Sequence, residues 1–190
     1  MNALENWFCG SGLWRYVTRR QLLPWVLHGV DLGEDVLELG AGPGAATLEL
    51  ARLAPRITCL EYDPKAVTTL GTRTRDSNAR VIRGDAAALP FANRSFSSAI
   101  AILMFHHLKS GELQDRAFGE ILRVLKPGGV LMIFEIPDGW FHRLEHFKST
   151  FVPLNPATVT ARLNALGFSI PKVSVRSGGF RIRAQRPVES

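Results

Sequence analysis

A loop with three alternate glycines and an acid just before them is the part of the sequence that points most directly to chemistry. The segment ELGAGPG places Glu38 two residues before Gly40, and Gly42 and Gly44 follow at the same spacing. Glycine loses more conformational entropy on folding than other residues, but its backbone turns sharply and approaches other groups closely. Such a loop, between an apolar run and a helical pattern, predicts that a nucleotide or nucleoside binds against its backbone.

An acid ends the second apolar run, where a bound nucleoside would present its sugar. Glu61 carries the acceptor oxygens needed to bind both hydroxyls of a ribose. The spacing leaves the ligand open, because Gly40-x-Gly42-x-x-Ala45 also fits the dinucleotide pattern G-x-G-x-x-A. The simpler alternative is that Glu61 only terminates a strand.

Short apolar runs alternate with helical patterns and would position these residues. The runs predict strands buried on both faces at 35–40, 57–62, 79–85, 96–105 and 128–136. Helical spacing predicts helices at 45–53, 64–76 and 112–125. A helix beginning at Asn155-Pro156 and a hairpin around Ser177-Gly178-Gly179 close the chain. The predicted fold class is α/β, a doubly wound, Rossmann-like, mostly parallel seven-stranded sheet ending in an antiparallel C-terminal hairpin, with helices on both faces.

The net charge and the cysteine content limit the classes of protein to which this chain could belong. The net charge is +6, and basic residues concentrate at 15–20, 73–83 and 172–186. Such a balance can attract nucleic acid, anionic lipid or an acidic small molecule, although a solvated surface is the favoured explanation. There is no apolar stretch of about 18 residues and no signal-peptide pattern. Two cysteines without a CxxC pair predict neither a disulfide scaffold nor a metal site, and we expect a cytoplasmic protein.

Five motifs in order along the chain resemble the class I S-adenosylmethionine-dependent methyltransferases, in the small-molecule branch called methyltransferase type 11. These are VLELGAGPG, LEYD, GDAAALPF, ILMFHHL and RVLKPGGVLMI, and the resemblance runs from Asp35 to Ile136. The tail hairpin also matches the strand order of the family. One departure is that strand four begins Phe96-Ser97, where the family usually has Phe-Asp. We expect this change to lose a local hydrogen bond and not activity.

The resemblance implies that S-adenosylmethionine is the cofactor, with S-adenosylhomocysteine as its product. Glu38 and the glycine loop would hold the methionine end, Glu61 the ribose, and Asp85 the adenine amino group, with Tyr62 packing on the ring. The implied cofactor-binding residues are Glu38, Gly40, Ala41, Gly42, Gly44, Glu61, Tyr62, Asp85, Ala86 and Leu103. The alternative is that each acid merely ends its strand.

Two adjacent histidines are the candidate catalytic residues. His106 and His107 close the predicted fourth strand, and the family often has paired histidines here. A histidine titrates near neutral pH and can take a proton from an acceptor hydroxyl. Because side chains alternate along a strand, we expect only one of them, with His106 favoured, to face the cofactor. The alternative is that one packs in the core and the other caps a loop.

The whole chain, 1–190, is predicted to form one domain. Its parts are a helical or lid segment at 1–34, a cofactor-binding core at 35–136, and a substrate-side loop, helix and hairpin at 137–190. The aromatic residues Trp7, Phe8 and Trp14 are either a lid, part of the core or a contact with anionic lipid.

The predicted function is methyl transfer to a small organic acceptor, with oxygen favoured as the acceptor atom. One alternative is a methyltransferase acting on lipid or nucleic acid. Nucleic acid is disfavoured because no Asn/Asp-Pro-Pro-Tyr/Phe motif is present and no separate nucleic-acid module fits in this length. The other alternative is a non-catalytic protein that binds S-adenosylmethionine or another nucleotide, such as NAD.

Overall fold

A single seven-stranded sheet forms the centre of the molecule, as seen in a computed structural model that describes residues 11–139, 150–176 and 178–188. Its strands lie in the order β3-β2-β1-β4-β5-β7-β6. In chain order they are β1 Asp35–Leu39, β2 Arg56–Glu61, β3 Ala79–Arg83, β4 Phe96–Ile102, β5 Leu125–Glu135, β6 Ser169–Arg176 and β7 Gly179–Gln185. Trp7 and Phe8 of the expected lid lie outside the described residues.

The pairing of the strands confirms the predicted fold class. Strands β1 to β5 pair in parallel, and β7 pairs antiparallel with both β5 and β6. The chain moves outward from β1 to β3 and then returns to place β4 on the other side of β1. In sheets of this kind the ligand crevice lies outside the carboxyl ends of the strands at this point of reversal.

Helices cover both faces of the sheet. They are α1 Gly12–Val17, α2 Leu23–Val26, α3 Thr47–Leu53, α4 Pro64–Arg73, α5 Gly111–Val124 and α6 Val159–Ala165, with a π-helical turn at Thr18–Leu22 and a 3₁₀ turn at Phe105–His107. Because strand side chains alternate, Leu37 and Val36 belong to two different cores. The first core contains Phe118 of α5, and the second contains Leu50 of α3.

Several predicted element boundaries are wrong, and three of them have a clear local cause. Strand β5 begins at Leu125 and not at Gly128, because pairing with β4 continues across a register shift. Strand β4 ends at Ile102 and not at Phe105, because the backbone of the following Leu103 turns to a φ of 54°. The last helix begins at Val159, because Asn155 first closes a turn through its side chain and its carbonyl.

Nothing in the described helices is both long and apolar enough to cross a membrane.

Candidate cofactor and active site

The glycine loop follows β1 directly and is packed against the turn that follows β4. Gly40 has a φ of 64°, a conformation that L side chains rarely adopt. A Cβ atom on Gly40 would lie 2.2 Å from Cγ of Met104, whereas a Cβ on Gly42 would meet nothing within 4 Å. Gly40 therefore permits close packing between two loops, and Gly42 leaves open space beside the backbone.

Glu61, the predicted ribose acceptor, lies against this loop. Its Oε2 accepts a hydrogen bond from the Gly42 N–H at 2.8 Å. Its Oε1 accepts from the backbone N–H groups of Tyr62 at 2.8 Å and Asp63 at 2.9 Å. Two carboxylate oxygens offer about four acceptor positions, and three are used here, so one position on Oε2 remains for a ligand hydroxyl.

The other predicted adenosine contacts lie along the same edge of the sheet. Asp85 follows β3 and is exposed, with its Oδ1 accepting from the Ala87 N–H at 2.8 Å. Tyr62 is 72% exposed, so its ring is available to a ligand at the end of β2. Ala86 is buried, and the Leu103 N–H donates to the Phe134 carbonyl at 2.9 Å. The structure thus brings the ends of β1, β2, β3 and β4 together around the loop.

Glu38 is buried beneath the loop and connects β1 to α3. Its Oε2 accepts from the Thr47 hydroxyl at 2.6 Å and from the Cys59 thiol at 3.4 Å. Burial in this apolar core raises the pKa of Glu38 to about 7, against an ordinary value of 4.5. Contact between Glu38 and the methionine end of a cofactor stays a prediction.

The two candidate histidines do not lie on a strand, so the argument from side-chain alternation is wrong. Both belong to the 3₁₀ turn Phe105–His107, where the chain leaves the sheet. The two imidazole rings lie side by side, with their centroids 4.2 Å apart. His106 is buried and His107 is half-buried, so their environments differ although they share one side of the turn.

His106 is paired with an acid at the end of the neighbouring strand. Its Nδ1 lies 2.6 Å from Oε2 of Glu135, the last residue of β5, and both side chains are buried. The other carboxyl oxygen of Glu135 accepts from the Phe105 N–H at 2.7 Å. A carboxylate oxygen only accepts hydrogen bonds, so a carboxylate at Glu135 favours the tautomer of His106 that carries its proton on Nδ1.

Gln114 of α5 fixes the same turn from the other side. Its amide nitrogen lies 3.2 Å from the Phe105 carbonyl and 2.8 Å from the Val152 carbonyl. The Val152 N–H in turn donates to the His106 carbonyl at 2.8 Å. No role for Gln114 or Glu135 is predicted from the sequence. An acid that ends the apolar run VLMIFE was the available signal for Glu135.

The Ser97 hydroxyl is hydrogen-bonded at the start of β4, and a loss relative to the family's aspartate stays a prediction. The hydroxyl oxygen accepts from the Asp35 N–H at 3.0 Å and lies 2.8 Å from the carbonyls of Leu32 and Asp35. The single hydroxyl proton is donated to one of these carbonyls. Gly33 makes this arrangement possible, since a Cβ there would lie 2.5 Å from Cβ of Ser97. A serine therefore connects β4 to the chain entering β1.

Within the described ranges, no group of three His, Cys, Asp or Glu side chains is arranged to hold a metal ion.

Comparisons with known proteins agree with this fold. A family described as a methyltransferase domain matches residues 37–133. The chain is similar to a demethylmenaquinone methyltransferase of Tropheryma whipplei, with 32% identity over 148 residues that cover 75% of this chain. The chain spans 56% of the length of that relative.

Two solved structures share the fold at low sequence identity. A methyltransferase dependent on S-adenosylmethionine from Methanosarcina mazei superposes with a TM-score of 0.73 at 21% identity, covering 87% of this chain and 98% of that one. The cyclase SpnF superposes with a TM-score of 0.73 at 24% identity, covering 89% of this chain and 82% of that one. The second likeness demonstrates that this fold alone does not fix the reaction.

The strand order, the glycine loop and the matched motifs define a class I methyltransferase fold whose cofactor is S-adenosylmethionine. The chain belongs to the methyltransferase domain family.

The residues of the site fit that cofactor. Gly42 leaves open space beside the loop, and the carboxylates of Glu61 and Asp85 stand at the ends of adjacent strands. The two carboxylates offer acceptor oxygens suited to a ribose hydroxyl and an adenine amino group, and their contact with the cofactor stays a prediction.

Proposed function

We propose that this chain transfers a methyl group from S-adenosylmethionine to a hydroxyl oxygen of a small organic acceptor. The observation that carries the proposal is the buried pair of His106 and Glu135, which lies at the carboxyl end of β4 and β5. This edge of the sheet is also where the glycine loop and Glu61 lie. The chain thus combines a cofactor crevice with a group able to take a proton beside it.

The cofactor supplies a methyl group on a positively charged sulfur, from which an aligned nucleophile displaces a neutral thioether. The task left to the protein is to hold the acceptor in line and, for a hydroxyl, to remove its proton. Alignment of two reactants is a large source of rate, and a positioned base adds roughly 10²–10⁴-fold. In this proposal Glu61, Asp85 and the loop residues around Gly42 hold the cofactor.

His106 is the base in this proposal, and Glu135 is its positioning residue. The carboxylate holds Nδ1 at 2.6 Å, which orients Nε2 and stabilises the imidazolium that forms when it takes a proton. Glu135 also holds the Phe105 N–H, so the same side chain fixes the turn that carries the imidazole. Removing Glu135 would therefore disturb the orientation of His106 as well as its charge balance.

A quinone-type acceptor is the second candidate, because relatives matching this chain are named demethylmenaquinone methyltransferase. The reduced form of a quinone carries ring hydroxyls, from which His106 could take a proton. A ring hydroxyl that loses its proton activates either its own oxygen or the adjacent ring carbon. The same base is therefore compatible with methylation at either atom.

The test is a screen of the full chain with S-adenosylmethionine labelled in its methyl group. The acceptors are phenols, catechols, reduced quinones, carboxylic acids and amines, and the product is located by mass spectrometry and NMR. We expect label in a methyl ether. Label on a ring carbon would favour the quinone candidate, and label on nitrogen would contradict both.

A binding measurement tests the cofactor half of the proposal separately. We expect S-adenosylhomocysteine to bind the full chain in calorimetry and NAD not to bind. Binding of NAD in place of S-adenosylhomocysteine would contradict the proposed function altogether.

A further inference from the structure

An open groove with basic walls lies between the N-terminal helical segment and the C-terminal hairpin. Its volume is about 500 Å³, within the range of roughly 300–1,000 Å³ typical of small-molecule sites. Arg20, Trp25 and His28 line it from the helical segment, and Arg176 and Arg181 line it from β6 and β7. None of these residues belongs to the candidate active site.

Two further arginine contacts hold the walls of the groove together. Arg181 donates to the Trp25 carbonyl, and Arg183 donates to the His28 carbonyl at 2.6 Å. The guanidinium carbon of Arg181 also lies 5.2 Å from the centre of the Trp25 ring. Arg181 and Arg183 therefore have a structural role, since they donate hydrogen bonds to backbone carbonyls at the end of the helical segment.

Arg176 and Arg20 have no such partner. Over the ranges 11–139, 150–176 and 178–188, neither forms an ion pair with a carboxylate, and no carboxylate lines the groove. Arg176 is instead oriented by the Trp25 ring, with its guanidinium carbon 6.0 Å from the ring centre. A guanidinium held against a ring presents a planar fork of donors, which matches a carboxylate or a phosphate.

The positive charge of the groove is not neutralised from within. Burial, together with the positive charge of Arg181, lowers the pKa of Arg183 from its usual range. Like charges this close disfavour one another, and an anion placed among them relieves the repulsion.

We propose that this groove binds a small aromatic acid whose anionic group is either a phosphate or a carboxylate. Arg176 and Arg20 bind the anionic group, and Trp25 contacts the aromatic ring. The proposal does not rest on the proposed methyl transfer, because the groove shares no residue with that site. The two places are nevertheless neighbours. The Trp25 ring packs edge-on against the Phe134 ring, with their centroids 6.1 Å apart. The Phe134 carbonyl accepts a hydrogen bond from the Leu103 N–H, at the edge of the sheet that carries the candidate active site.

Phenyl phosphate is the probe, added to the full chain while the indole N–H signals of its four tryptophans are followed by NMR. A Trp25→Phe variant assigns the Trp25 signal. We expect that signal to shift saturably with phenyl phosphate, less tightly with inorganic phosphate, and not with phenol. Benzoate in place of phenyl phosphate tells a carboxylate preference from a phosphate preference.

The variants Arg176→Ala and Arg20→Ala should each weaken binding of the preferred probe at least about tenfold, the effect of losing a hydrogen bond to a charged group. Arg80→Ala is the matched control. Arg80 is exposed on β3, at the opposite edge of the sheet, and the substitution makes the same change in net charge. Affinity should stay within about twofold in that variant, a change well below the roughly 1.4 kcal/mol that tenfold represents.

Three outcomes would overturn the proposal. One is the absence of saturable binding for both phenyl phosphate and benzoate. Another is an equal loss of affinity in Arg80→Ala, which would mean that only net charge matters. The third is sedimentation of the chain with phosphatidylglycerol vesicles without binding of the soluble probes, which would assign the groove to a membrane surface.

Discussion

His106 and Glu135 are 29 residues apart in the chain and 2.6 Å apart in space, with both side chains buried. The contact joins the turn after β4 to the last residue of β5. In the proposed mechanism this contact holds Nδ1 of His106, and Nε2 takes the proton of the acceptor.

The first prediction concerns this pair. His106→Ala should lower kcat by roughly 10²–10⁴ and leave the affinity for S-adenosylhomocysteine nearly unchanged, because a base acts on the acceptor and not on the cofactor. His107→Ala is the control, since His107 is half-buried and adjacent but is not the partner of Glu135. Initial rates with an acceptor found by the screen provide the measurement.

Glu135→Gln completes the series. It should lower kcat and change the pH profile of kcat, and calorimetry with S-adenosylhomocysteine shows whether the cofactor site is intact. Equal and small effects in all three variants, with an unchanged pH profile, would leave alignment as the whole mechanism and remove His106 from the catalytic role.

The second prediction concerns Glu38 and pH. A buried acid with a raised pKa takes up its proton more readily in the folded chain than in the unfolded chain. Stability should therefore fall as pH rises from about 4.5 to about 7, because Glu38 ionises at a lower pH in the unfolded chain. Above pH 7 the contribution of Glu38 to stability should change no further. Complete ionisation should cost about 3 kcal/mol at roughly 1.4 kcal/mol per pKa unit.

Glu38→Gln provides the comparison for this prediction, because it keeps the shape of the side chain and an acceptor oxygen for Thr47. Urea unfolding of both proteins between pH 4 and pH 8 gives their free energies of unfolding. The free energy of unfolding of the variant should rise relative to that of the parent as pH rises. Curves that stay parallel across this window would mean that Glu38 does not titrate there.

The third prediction concerns Glu61. Glu61→Ala removes an acceptor for the ribose hydroxyls and also releases the Gly42 N–H from its 2.8 Å hydrogen bond. Affinity for S-adenosylhomocysteine should fall by about 1.5–3 kcal/mol for each hydrogen bond lost to the carboxylate. Asp85→Ala should weaken binding less, because Asp85 is exposed.

Asp76→Ala is the matched control for Glu61→Ala, since Asp76 is an exposed acid beyond the end of α4. Calorimetric titration provides the affinities. If Glu61→Ala binds as tightly as Asp76→Ala, the assignment of the ribose to Glu61 is wrong.

The fourth prediction concerns Gly40. Gly40→Ala should destabilise the chain by about 2–5 kcal/mol, because a left-handed conformation costs an L residue about 1–2 kcal/mol and overpacking costs a further 1–3 kcal/mol. Gly71→Ala is the control. Gly71 is exposed within α4, nothing lies within 4 Å of its added Cβ, and alanine should stabilise a helix there by about 0.5–1 kcal/mol.

Chemical denaturation of the two glycine variants measures both effects. Adding Met104→Ala to Gly40→Ala should relieve part of the overpacking, because the 2.2 Å contact with Cγ is removed while the 2.8 Å contact with Cβ and the conformational strain remain. Additive losses in the double variant would show that the two loops do not press on each other.

Local patterns were enough to predict the sheet and the cofactor edge. A glycine loop, an acid after β2 and another after β3 each stand beside a strand end, and parallel strands bring their carboxyl ends to one edge. The turn Phe105–His107 escaped prediction because the apolar run ILMF continues the pattern of a strand past Ile102. Only the left-handed backbone of Leu103 ends the strand there, and leucine gives no local signal for it.

Contacts between distant parts of the chain were not predictable from spacing. The partner of His106 lies on another strand, and the groove combines Trp25 with Arg176 from the far end of the chain. The basic residues at 172–186 were visible in the sequence, but which of them bind the protein itself depends on the position of the helical segment.

The packing of Gly40 against Met104 makes the loop after β1 and the turn after β4 one mechanical unit. Met104 lies two residues before His106, so we expect a displacement of the loop on ligand entry to reach the imidazole. In the proposed mechanism, binding of the cofactor and binding of the acceptor are then energetically linked. Linkage is reciprocal. If the bound cofactor raises the affinity for the acceptor by some factor, the bound acceptor raises the affinity for the cofactor by the same factor.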